Sequence, residues 1–102
     1  NDKGVRDGHQ AVCRRLTQTS EPGTLFCAML QQAVTYTESA TGNMLLVTSW
    51  NEWHEDTQIE PVAESASTTL DDSDGGTYYS EGLEYEGYGE RYLDILREET
   101  TK

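Results

Sequence analysis

The densest run of chemically able side chains in this chain is Trp50-Asn51-Glu52-Trp53-His54-Glu55-Asp56-Thr57-Gln58-Ile59-Glu60-Pro61. It brings together two indoles, four carboxylates, an imidazole and two side-chain amides. That mixture suits a polyhydroxylated ligand. Aromatic faces stack on the C–H faces of pyranose rings, while carboxylates and amides hydrogen-bond the hydroxyls. A carboxylic acid can also protonate a glycosidic oxygen while a second carboxylate meets the oxocarbenium-like centre. The plainer alternative is a solvated acidic loop in which Trp50 or Trp53 serves a core.

Metal chemistry fits the same residues poorly. His54-Glu55 opens like the H-E-x-x-H zinc motif, but Gln58 stands where the second histidine belongs. Asp71-Asp72-Ser73-Asp74-Gly75-Gly76 has oxygen ligands for calcium. It lacks the EF-hand order of alternating ligands, a sixth glycine and a twelfth glutamate. No G-x-S-x-G elbow is present, and neither Cys13 nor Cys27 neighbours a histidine. The expectation is a site without metal or cofactor.

The elements that would position this site can be read from periodicity. Phe26, Leu30, Ala33 and Val34 fall on one apolar stripe of a helix that Thr24 can cap. Gly42-Asn43 ends the connection, and Met44-Leu45-Leu46-Val47-Thr48-Ser49-Trp50 follows. This run is too short for a helix, and continuous apolarity is the mark of a parallel strand covered on both faces. Ligands of parallel sheets and barrels gather at the C-terminal ends of strands, which is where residues 50–61 begin. A short helix is expected over 10–17, from Val12 and Leu16. Residues 61–88 form a long acidic excursion with little periodicity, where Tyr78, Tyr79, Tyr85 and Tyr88 either extend a sugar groove or pin the loop. Residues 89–100 close the chain as a helix with Tyr92, Leu93 and Leu96 on one face.

Composition narrows the partners. Residues 1–51 carry four acids and four bases; residues 52–102 carry fifteen acids and three bases, hence the whole net charge of −12. Such a surface repels phosphate backbones and anionic membranes, so nucleic acid is an unsuitable partner. No apolar run approaches the roughly 20 residues of a membrane span. Leu, Ile, Val and Phe number only 17 of 102, a thin supply for an independent core. Neighbouring elements supplied from elsewhere would resolve that shortage. Cys13 and Cys27 suit either a disulfide, in an exported protein, or two buried thiols.

The segment Ser49-Trp50-Asn51-Glu52-Trp53-His54-Glu55-Asp56-Thr57-Gln58-Ile59-Glu60-Pro61 closely resembles the last-strand motif of glycoside hydrolase family 99, S-[FW]-N-E-W-H-E-G-T-Q-I-E-P. Asp56 departs from the glycine usual there. Asn1-Asp2-Lys3-Gly4-Val5-Arg6-Asp7-Gly8 and Tyr88-Gly89-Glu90-Arg91-Tyr92-Leu93 resemble flanking segments more loosely. The resemblance implies an α/β fold: the C-terminal fragment of a (β/α)8 barrel, its last one or two βα units with a long acidic loop. It also implies metal-independent cleavage of internal α-mannosidic bonds by a parent enzyme of the secretory pathway or outside the cell. The family's two catalytic glutamates lie upstream of the last strand, so catalytic labels are not carried onto this chain. By motif position, Glu52, Trp53, His54, Glu55, Gln58 and Glu60 would line or brace sugar subsites. A glycan and the remainder of the barrel, or other chains, are the implied partners. A non-catalytic carbohydrate-binding or self-assembling protein built from a barrel fragment is the alternative.

Overall fold

The structure, a computed structural model, describes residues 5–6, 9–10, 14, 16–17, 20–52, 57–80, 82 and 84–102. Strands β1 (Val5–Arg6) and β2 (His9–Gln10) pair antiparallel, with Val5 opposite Gln10. Helix α1 (Thr24–Val34) and a 3-10 turn (Ser39–Thr41) follow. Strands β3 (Ser65–Thr68) and β4 (Tyr85–Gly87) form a second antiparallel pair, and helix α2 (Arg91–Thr100) closes the chain.

The core is a cluster of Ile59, Tyr88 and Tyr92, against which Phe26, Val47, Val62, Leu93 and Leu96 pack. Tyr92, with no exposed surface, is its centre. Phe26 and Tyr88 meet its ring edge-on, with centroids 5.5 and 4.7 Å away. Arg14 lies over the Tyr92 ring with its guanidinium carbon 3.7 Å from the centroid, and donates to the Gln58 carbonyl. A buried arginine stacked on an aromatic face thus joins the N-terminal segment to the site segment.

Three elements differ from the sequence reading. Gln10 lies in β2 and Arg14, Leu16 and Thr17 are bends, so the helix expected over 10–17 is absent from its described residues; Val12 lies outside them. Thr24 does not cap α1. Gly23 does, at φ 88°, and the Thr24 hydroxyl instead donates to the Glu21 carbonyl and accepts from the Leu16 amide. At Gly23 a Cβ would come 2.5 Å from Ile95 Cδ1, so contact between the helices favours a residue without a side chain. The 61–88 excursion, read as having little periodicity, contains a bulged antiparallel pair in which Ser65 to Thr68 lie opposite Tyr85 to Gly87.

The buried strand expected over 44–50 is also not met within this chain. Met44 and Leu46 are exposed while Leu45 and Val47 are half-buried against α1. Residues 44–48 make no hydrogen bond with any described residue. Both ladders among the described residues are antiparallel, and neither includes residues 44–48.

The disulfide alternative is not what the structure holds, since Cys27 is a free thiol; Cys13 lies outside the described residues. Cys27 sits between the helices and donates to Glu99 Oε1 at 3.5 Å, the same oxygen that Lys102 reaches at 2.8 Å. Burial, then the Glu99 contact, pushes the thiol above its ordinary value. In a Cys13→Ser background, Cys27 is therefore expected to alkylate slowly at pH 8, and Glu99→Gln to speed it. An unchanged rate in Glu99→Gln, measured by thiol titration, counts against this contact.

Candidate functional site

Residues 49–60 fold back on themselves. The Ser49 amide donates to the Thr57 carbonyl at 3.2 Å, and their hydroxyls meet at 2.8 Å. The Glu52 amide donates to the Ser49 hydroxyl, and the Thr57 amide to the Glu52 carbonyl. Behind them, the amides of Ile59 and Glu60 both donate to the Trp50 carbonyl at 3.0 Å. The turn is thereby closed twice at its base before residues 53–56, which lie outside the described residues. Trp53, His54 and Glu55 fall in that gap.

The described candidates divide by environment. Trp50 is 51% exposed, and Glu52 is exposed too. Glu60 is half-buried, and its carbonyl accepts from the Tyr88 hydroxyl at 2.7 Å, tying the segment to the core. Gln58 is only 4% exposed. Its backbone carbonyl accepts from the Arg14 guanidinium, while its side-chain Oε1 is buried with no hydrogen-bond partner among the described residues. An unpaired buried amide oxygen costs about 1–3 kcal/mol. Beside the segment, an apolar groove of about 470 Å³ runs between α1 and residues 45–48, walled by Phe26, Met29, Leu30, Leu45, Val47 and Ile59.

Sequence reasoning missed two residues that shape this region. Arg14 carried no local signal, because its partners lie 44 and 78 positions away. Asp71 did carry one, the Asp-x-Ser turn pattern. Its Oδ1 accepts from the amide and hydroxyl of Ser73, and its Oδ2 from the amides of Tyr79 and Ser80 at 3.0 and 2.7 Å. One carboxylate thus closes the hairpin tip. No group of three metal-ligating side chains occurs among the described residues, and none of their helices is long and apolar enough to cross a membrane.

The Ser73 hydroxyl first, then the Ser80 and Ser73 amides, hold the Asp71 carboxyl well below its ordinary value of 3.8. A depressed folded value means that the carboxylate's contribution is full above about pH 4 and fades as pH falls further. Hydrogen-exchange protection of the Tyr79 and Ser80 amides is accordingly expected to drop below that pH, and to be low at neutral pH in Asp71→Asn. Protection in the variant equal to the parent's would count against the carboxylate as the closing group.

In comparisons with known proteins, no family model, no curated protein and no solved structure matches this chain.

Proposed function

We propose that this chain is the C-terminal part of a (β/α)8-barrel glycoside hydrolase acting on internal α-mannosidic or related α-glycosidic bonds, with residues 50–60 contributing sugar subsites. The observation that carries the reading is the run Trp50 to Pro61, resembling the last-strand motif of family 99 and following closely on the apolar run Met44 to Val47. Three features of the chain support it. Residues 44–48 have unpaired backbone and apolar side chains on both faces, as a strand separated from its neighbours has. Gln58 holds a buried acceptor in want of a donor. Trp50 and Glu52 are exposed to solvent.

In this reading Trp53 is a ring platform, Glu52 and Gln58 address hydroxyls, and His54, Glu55 and Glu60 line or brace the subsites. The acid and the nucleophile-assisting glutamate come from an upstream strand loop. The secretory pathway or the extracellular space is the proposed location.

The decisive experiment uses the parent polypeptide, expected to span about 350 residues since a full barrel with insertions exceeds 250. It is expected to cleave α-mannan, while the 102-residue chain alone does not. Trp53→Ala in the parent is expected to weaken substrate binding by about 1–3 kcal/mol, the scale of aromatic stacking on a flat ring. KM then rises more than kcat falls, because a platform acts in ground and transition states alike. A sharp fall in Tm with unchanged KM would make Trp53 a core residue instead. Turnover by the isolated chain would return the catalytic role to Glu52 and Glu55.

A further inference from the structure

Tyr78 and Tyr79 are 76% and 63% exposed, so they do not pin the hairpin to the body of the protein. Their rings stand edge to face, centroids 5.4 Å apart and planes at 76°, and so form an open corner. The backbone beneath them is fixed. The Tyr78 amide donates to the Ser73 hydroxyl at 2.9 Å, and the Tyr79 and Ser80 amides donate to Asp71 Oδ2. Asp71 also accepts from Ser73, so a single carboxylate orders the backbone from 71 to 80 before any ligand arrives. Two exposed rings on an ordered turn are an aromatic surface that no described residue covers.

We propose that Tyr78 and Tyr79 form an aromatic platform for a neutral glycan chain, in addition to the 50–61 segment. This deepens the glycan reading above and rests on it. The chemistry selects the ligand class. Residues 61–90 hold eight acids and no Lys or Arg, which repels anionic polysaccharides. The ring faces match the C–H faces of a pyranose. The phenol hydroxyls and the exposed carboxylates of Asp72 and Asp74 can take up sugar hydroxyls. A lysine-rich peptide would gain from the same carboxylates, but added salt screens that attraction and leaves ring stacking in place.

The test is affinity electrophoresis of the 102-residue chain through neutral α-mannan, a neutral β-glucan and anionic alginate, with titration of an oligo-lysine peptide alongside. Retardation by α-mannan is expected to survive added salt. It is expected to weaken about tenfold or more in Y78A/Y79A and to stay within about twofold of the parent in Y78F/Y79F, where the rings remain. D71N keeps both rings but frees the backbone, and is expected to weaken binding as well. Circular dichroism checks that each variant stays folded. Undiminished retardation of Y78A/Y79A overturns the platform and leaves the hydrolase reading untouched, because that reading stands on turnover by the parent. Tyrosine-dependent retardation by β-glucan alone upholds the platform and removes mannan as its ligand. Retardation by no neutral glycan, or salt-sensitive binding of oligo-lysine alone, overturns it.

Discussion

Arg14→Ala is expected to be among the most destabilising single substitutions in the chain. The guanidinium lies 3.7 Å from the Tyr92 centroid and 5.4 Å from that of Tyr88, and it donates to the Gln58 carbonyl. A desolvated cation–π contact contributes about 2 kcal/mol, and a hydrogen bond from a charged donor about 1.5–3 kcal/mol. Truncation removes both and leaves a cavity over the central ring, for a loss of about 3 kcal/mol or more. At roughly 4–8 °C per kcal/mol for a domain of this size, thermal denaturation reads this easily. Arg14→Lys restores charge without the planar face, so it recovers only part of the loss. A lysine variant as stable as the parent would mean that charge alone matters, and an alanine variant as stable would remove Arg14 from the core.

Gly87→Ala is the second large effect. Gly87 faces Ser65 across the β3–β4 pair, where the strands approach so closely that an added Cβ would overlap the Ala63 carbonyl oxygen and come within 2.8 Å of the Ser65 amide nitrogen. Both obstacles are backbone, which cannot swing aside as a side chain can. Overpacking of this kind costs about 1–3 kcal/mol and shifts the chain. The damage is expected to be local at first. The Gly87 amide loses its bond to the Ser65 hydroxyl, now 2.9 Å, and the hairpin loosens while the α1–α2 contact persists. Hydrogen exchange at β4, compared with exchange in α2, measures this. Equal protection in both variant and parent at β4 would show that the strands separate without cost.

Local patterns carried the helices. The helix holding Phe26, Leu30, Ala33 and Val34 and the one expected over 89–100, which forms over 91–100, announced themselves through apolar spacing, and Tyr92, Leu93 and Leu96 pack in the core. A helix satisfies its own backbone within a few residues, so its register with the core is written in adjacent positions. The buried strand expected over 44–50 was not met, since Met44, Leu46 and Trp50 are exposed and no strand forms there. Local patterns could not say that Arg14 would lie over Tyr92, or that Ser65 and Gly87 would meet across the chain. Strand pairs and cation–π contacts join residues far apart in sequence, and only the closed chain decides which of many compatible partners is taken. The same reason explains the Asp71 tip. An Asp-x-Ser turn was visible in residues 71–73, but the further donors, Tyr79 and Ser80, reach that carboxylate only once the hairpin has brought the chain back to it.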